Sequence, residues 1–260
     1  KTYIKTTSTK LRILLTFLSG VTFVTISDYS VNYIYVAGID YFLSFYLVSL
    51  LFTGFAIAGI SNSINIIDGF NGLASGSVLI MMLGISYLTF NVSDFELFKI
   101  SLFFSSIIIG FMILNFPLGK LFLGDSGAYF LGFILACILV MMPYRNPEIS
   151  PWTSLMICFY PFFETIFSIY RKTRRSGHKF DKPDGIHLHM LVYRHYSRKF
   201  SRALNVGNYR NSITSVIMWP LTILPVLIAI NFYYQTLIIL FSMAIFILSY
   251  LFLYKKLSLN

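Results

Sequence analysis

Charge is what this sequence has least of. Only 12% of its 260 residues are Asp, Glu, Lys or Arg, against about a quarter in an ordinary soluble domain. With 57% hydrophobic residues and a positive mean hydropathy, a soluble globular domain is excluded. Cysteine is nearly absent. Cys137 and Cys158 both lie inside apolar blocks, so no disulfide framework or cysteine–metal cluster is indicated. No cleavable signal segment, internal repeat or low-complexity run is visible. Acidic residues are scarce too, 10 against 20 basic ones, for a formal net charge of +10. In a soluble chain that excess would point to nucleic acid. In a membrane chain it marks cytoplasmic loops and contact with anionic lipid or phosphate ligands, and no nucleic-acid partner is expected.

What is present is apolar sequence in blocks of about twenty residues, the length a helix needs to cross ~30 Å of hydrocarbon. Eight spans are expected, at 11–27, 39–60, 75–90, 97–115, 126–142, 152–170, 213–230 and 234–254. The predicted fold class is therefore all-α, a polytopic transmembrane helical bundle. Three connections stand out: 61–74, rich in Asn, Gly and Ser; 115–127; and a long basic segment, 171–212. With an even number of spans they share one side with both termini. Every Lys and Arg except Lys99 and Arg145 falls on that side, which the positive-inside rule makes cytoplasmic.

The first connection carries Asn62, Asn65 and Asp68 at intervals of three, on one helical face, followed by Gly69 and Gly72, which permit tight turns and close approach of a ligand to backbone. Amides can read a base or sugar edge, and a carboxylate can hold a metal. Asn, Asp and Gly equally favour a plain helix end. The second carries Asp125 in Gly124-Asp125-Ser126-Gly127, where an apolar span begins. A hard cation such as Mg²⁺, held jointly with substrate phosphates, would offset the cost of a carboxylate there. Alternatively Asp125 is a helix N-cap. The Gly-Asp-Ser-Gly run also resembles a hydrolase signature but has no strand–turn–helix around it, which argues against a serine nucleophile.

The third connection carries His187 and His189. Two residues apart, they would face the same way in an extended stretch. Arg171, Arg174, Arg175, Arg194 and Lys199 surround them in sequence, a setting that suits a diphosphate better than a metal. Most of these Lys and Arg residues would lie against anionic headgroups. Glu164 is the one acid deep within a span. It is either functional or a structural partner of Arg171, two turns further on.

Taken together the motifs resemble the polyprenyl-phosphate N-acetylhexosamine-1-phosphate transferases (glycosyltransferase family 4). The match comprises Asn-x-x-Asn-x-x-Asp-Gly-x-x-Gly-Leu at 62–73 and Asn-x-Pro-x-x-Lys-x-Phe-x-Gly-Asp-Ser-Gly at 115–127. It continues with the paired Arg174-Arg175 and Gly177, leading into Pro-Asp-x-x-His-x-His at 183–189. The resemblance implies that a UDP-N-acetylhexosamine donates its sugar-1-phosphate to undecaprenyl phosphate, releasing UMP, on the cytoplasmic face of the inner membrane. By the same resemblance Asp125 and Asp68 would hold Mg²⁺. Phe122 would stack on the uracil, with Asn62, Asn65, Asn71 and Lys120 lining the nucleotide-sugar site. His187 and His189 would hold the diphosphate. A homodimer would be in keeping with the resemblance as well.

The sequence departs from the family pattern in three places. An Asp-Asp pair expected ahead of the segment matching 10–27 is not in this sequence, so it reads as the C-terminal three-quarters of an enzyme of about eleven spans. Residues 1–260 then form a single transferase domain without its first spans. Position 71 is Asn where many members have Asp, and the histidine run is His187-Leu-His189-Met190. From other classes, a membrane transporter or flippase for an anionic or lipid-linked substrate and an inactive relic stay open as alternatives. Transporters place ionisable residues near the midplane, whereas here they gather at one edge.

Overall fold

The computed structural model describes residues 8–174, 186–203 and 205–259. Lys1, Lys5, Arg175, Gly177, Lys179, Lys182 and Pro183-Asp184-Gly185 lie outside them. All regular structure among the described residues is helical, as expected. Among the described residues seven helices are long and apolar enough to cross a membrane, or eight if the bent pair counts as one span. The chain is a multi-pass membrane protein.

Helix α1 (Thr9–Ser27) opens on Ser8, whose hydroxyl accepts the Leu11 N–H at 3.3 Å. A short α2 (Ala37–Leu43) precedes α3 (Tyr46–Ile67), which is followed by α4 (Leu73–Asn91), α5 (Phe95–Asn115) and α6 (Gly124–Arg145). Two expectations are corrected here. The second span runs 46–67, not 39–60, because the chain breaks at Ser44-Phe45 and then stays helical through the Asn-rich segment. Ser61 and Ser63 return their hydroxyls to the carbonyls of Ile57 and Gly59, both at 2.8 Å, so turn-forming residues cost the helix little. The connection 61–74 shrinks to the five residues between α3 and α4.

The single span expected at 152–170 is α7 (Pro151–Ile157) and α8 (Phe159–Arg174), bent by 78°. Pro161 is the physical reason. It has no N–H to give the carbonyl of Ile157, where α7 stops. The basic segment 171–212 is also no plain loop. After α8 ends at Arg174 it holds α9 (Leu188–Val192), a π-turn over Tyr193–Ser197 and α10 (Arg198–Ala203). Then α11 (Arg210–Met218), α12 (Pro220–Asn231) and α13 (Thr236–Ser258) complete the order.

Helix α4 is the hub, 72% buried, whereas α1 and α13 are 11% and 17% buried and lie at the periphery. Small residues let helices touch closely, as at Gly20 of α1, where an added Cβ would come within 3.1 Å of the Gly54 backbone in α3. One end of the bundle is tied by Arg145, which donates to Asp94 at 2.8 and 2.9 Å, with Asn146 adding a bond to Asp94 at 3.1 Å. Burial works against the Asp94 carboxylate, but the bonds from Arg145, Asn146 and the Leu97 N–H prevail and hold it below the usual range. The three motif segments meet at the other end.

Candidate functional site

Asn62 and Asn65 project from the last turns of α3 toward the first turns of α6. The Tyr129 hydroxyl donates to Asn62 Oδ1 at 3.0 Å, and Asn65 Nδ2 donates to Asp125 Oδ1 at 3.2 Å. Asp125 is not an N-cap. Leu123 holds the cap position, and Asp125 sits in the first turn with its side chain 63% exposed. Its other oxygen is met by the guanidinium of Arg12, reaching over from α1. Sequence reasoning counted Arg12 only as one more positive charge. Its signal was a cation one turn inside an apolar helix, two residues past Lys10, on the side of the motif loops.

Asp68 ends α3 beside this group. Burial, and then the nearby charge of Asp125, push its carboxyl up to about 6. Asp68 and Asp125 are thus two carboxylates close enough to repel, with the Asn65 amide against one of them. Among the described residues no cluster of three His, Cys, Asp or Glu makes a closed metal cage. Two carboxylates at an open edge still suit Mg²⁺, which keeps waters and takes its remaining ligands from substrate phosphates.

The loops around these acids are held by side chains the motif pattern alone left without a role. Buried Asn115 at the end of α5 accepts the Gly72 N–H at 2.7 Å and donates to the Leu121 carbonyl at 2.7 Å. Gly72 has φ +78°, and a Cβ there would meet the Phe116 ring at 2.7 Å, so glycine is required on two counts. The Asn71 side chain packs onto Gly119, and the Asn71 carbonyl accepts from Ser215 at 2.7 Å. Asn71 therefore braces one loop against the other. Lys120 and Phe122 are exposed at the rim, Phe122 by 73%.

The histidine segment meets the loop that follows Asp68, where His189 packs against Gly69 and Phe70. His187 has an extended backbone and precedes α9, and His189 is within it, so the stretch is only partly extended as expected. The two rings nevertheless face the same way, parallel to within 1° at 5.3 Å. They differ in access. His187 keeps 13% of its side chain exposed. His189 is sealed against Gly69 and the edge of Phe70, and its Nδ1 is buried without a hydrogen-bond partner. Burial, ahead of the charges around it, lowers His189 to about 4, so this ring is neutral at pH 7.

Glu164 of α8 is fully buried behind them. It accepts from the Tyr250 hydroxyl at 2.6 Å and the Leu188 N–H at 3.3 Å, and pairs with His187 Nδ1 at 2.9 Å. Arg171, the partner named in the structural reading of Glu164, donates to the Ile186 carbonyl and the Tyr254 hydroxyl. Asn62, Asn65, Asp68, Asp125, His187 and His189 therefore meet at one end of the bundle, although α3, α6 and α9 bring them from distant sequence positions. Away from them, a cleft of about 300 Å³ with largely apolar walls, including Phe52, Phe55, Ile60, Leu139, Trp152 and Phe162, opens beside the α7–α8 bend.

The sequence pattern of the family "Glycosyl transferase family 4" matches residues 4–143, more than half of the chain. The chain belongs to that family. Relatives include a Bacillus subtilis protein named as a probable undecaprenyl-phosphate N-acetylglucosaminyl 1-phosphate transferase, 31% identical over 134 residues, which are 51% of this chain and 37% of that one. A phospho-N-acetylmuramoyl-pentapeptide-transferase of Streptococcus agalactiae is 34% identical over 114 residues, 44% of this chain and 32% of its own. The Streptococcus mutans protein of the same name is 29% identical over 154 residues, 56% of this chain and 43% of its own. The chain thus spans less than half the length of each of these relatives. The family match takes in Asn62 to Gly127, the acid side of the site, and stops short of Glu164 and the histidines.

Proposed function

We propose that this chain forms a single transferase domain that moves a sugar-1-phosphate from a UDP-N-acetylhexosamine to a polyprenyl phosphate, releasing UMP and starting a lipid-linked cell-envelope glycan. The observation that carries this reading is Asp125 at an open edge with Arg12 and Asn65 on its two oxygens, Asp68 ending the same helix as Asn65, and His189 packed against Gly69 next to it. Phosphoryl transfer asks for positioning and charge neutralisation more than for covalent chemistry. Asp68 and Asp125 would hold Mg²⁺, which supplies charge neutralisation on the transferring phosphate. Asn62 and Asn65 would orient the sugar nucleotide, with Asn71 bracing the loop behind it. Exposed Phe122 offers a stacking face for a base, Lys120 a nearby cation, and His187 a hydrogen-bonding group for the sugar nucleotide.

The same reading supplies a membrane geometry. The bundle end that gathers the motifs also carries Arg12, Arg171, Arg194 and Lys255 at its helix ends, and this bias supports a cytoplasmic, inner-membrane orientation. A soluble donor would then meet a lipid-borne phosphate there, with the isoprenoid chain against apolar helix surface such as the cleft beside the bend. A transport reading is less favoured. Glu164, its one deep acid, is taken up by Tyr250, His187 and the Leu188 N–H rather than lining a passage.

The test is UMP release by the protein expressed from its complete reading frame, given undecaprenyl phosphate, Mg²⁺ and a panel of UDP-N-acetylhexosamines. One donor should yield UMP, and Asp125→Asn should abolish it. Undiminished release by Asp125→Asn would overturn the metal assignment, and no release from any donor would overturn the function.

A further inference from the structure

Glu164 is a costly residue to bury. A carboxylate in an apolar helix loses several kcal/mol of hydration unless each oxygen is matched by donors, and here three donors converge on it from α13, α9 and the residue before α9. Simple anchoring of the 186–188 segment does not account for them. The Ile186 carbonyl already accepts from Arg171 and, at 3.1 Å, from the Tyr254 hydroxyl. Those bonds tie the backbone to α8 and α13 without a carboxylate. What Glu164 adds is a hold on the His187 ring.

That ring is held on one face and one edge. His189 covers one face in parallel stacking. The Nδ1 edge is taken by Glu164 at 2.9 Å. His187 occupies the N-cap position of α9, yet its side chain makes no capping bond. An acceptor-only carboxylate requires that Nδ1 carry its hydrogen. Nε2, at the far edge of the ring from the fully buried Glu164, is then left for a ligand.

We propose that Glu164 is a positioning residue. It fixes His187 as the Nδ1–H tautomer and leaves Nε2 as an unprotonated acceptor, open to a hydroxyl or N–H of the sugar nucleotide. The sugar-nucleotide part rests on the function proposed above, whereas the tautomer part does not. An apolar residue at this position would leave Nδ1 without an acceptor and so release the tautomer, whereas an amide can keep its oxygen on both the ring and the Leu188 N–H.

Two measurements decide it. The first is the imidazole ¹⁵N spectrum of histidine-labelled protein, with the His187 signals assigned by their loss in His187→Gln. Wild-type protein should show Nδ1 protonated and Nε2 as the free nitrogen, retained in Glu164→Gln and inverted or mixed in Glu164→Leu. A wild-type His187 protonated at Nε2 alone overturns the proposal, whether or not any sugar nucleotide turns over. The second is a double-mutant cycle on UMP release. Glu164→Leu should lower kcat about 10–100-fold, the usual effect of removing a group that orients a functional histidine. KM for the sugar nucleotide should stay within about twofold. In a His187→Ala background the same substitution should change nothing further. Losses that multiply, or a Glu164→Gln variant as inactive as Glu164→Leu, would make Glu164 a packing residue. If wild type releases no UMP, the function fails and the ¹⁵N arm still decides the tautomer.

Discussion

Asn115 and Gly72 are joined by a 2.7 Å hydrogen bond that crosses from the end of α5 to the start of α4. Through it, and through its bond to the Leu121 carbonyl, one amide fixes both motif loops. Asn115→Ala should leave the buried Gly72 N–H unpaired and cost about 1–3 kcal/mol. Gly72→Ala should cost at least as much, since φ is +78° and the new methyl meets the Phe116 ring. Thermal unfolding in detergent measures both, and two variants as stable as wild type would refute the bracing role.

Arg12 occupies one oxygen of Asp125, the other side of the arrangement in which that acid would hold a cation. Arg12→Gln removes the competitor. Since the pair is largely exposed, the effect should be small: divalent-cation binding tightens by up to about fivefold, corresponding to ~1 kcal/mol or less. Titration of Mn²⁺ followed by its own paramagnetic signal, without turnover, checks this. Weaker binding would mean that Arg12 supports the cation site.

Asp68 gives the site a pH dependence of defined sign. Its folded-state value near 6 lies above the ordinary carboxyl value of 3.8, so the folded protein binds this proton more tightly than the unfolded chain. Its contribution to stability is complete below about 4 and lost as pH rises through 6. A bound divalent cation needs the ionised form. Stabilisation by Mg²⁺, read as a rise in Tm, should therefore grow from pH 5 to pH 7, and Asp68→Asn should flatten that growth. An unchanged profile in Asp68→Asn would place the cation elsewhere.

His189 acts in the opposite direction. Burial holds it at about 4, below the usual 6.5, so its contribution is complete above 6.5 and is lost as pH falls toward 4. His189→Gln should remove part of the acid destabilisation in that interval. The difference between variant and wild-type unfolding curves isolates this slope from that of Asp68. Curves that stay parallel from pH 7 to pH 4 would contradict it.

The bundle and its site were legible to different depths. Long apolar blocks fixed the count of spans, because hydrophobic length is a local property of the chain. Asn62 and Asn65 share a face because the three-residue interval falls within α3, a local relation again. The bend at residue 158 was missed: Pro161 reads as one proline in an apolar run, and whether it kinks or breaks a helix depends on neighbours. Arg12 was missed as a site residue, and His187 and Tyr250 as the partners of Glu164, for a similar reason. Each bond joins residues far apart in sequence, and no spacing rule reaches across the packing of α1 on α3 or α13 on α9. The bracing role of Asn71 was equally hidden, since its neighbour Gly119 comes from another loop.

The tie between α13 and the histidine segment sets an order of events during synthesis. Tyr250 and Tyr254, which hold Glu164 and the Ile186 carbonyl, follow His187 by more than sixty residues. At about 5–20 residues per second, the imidazoles leave the ribosome several seconds before those anchors exist. Through that interval the acids of α3 and α6 are already made, while Ser215, which braces the Asn71 loop, and the two tyrosines follow later. In chain order, the anchors of the histidine wall are among the last parts of the site to leave the ribosome.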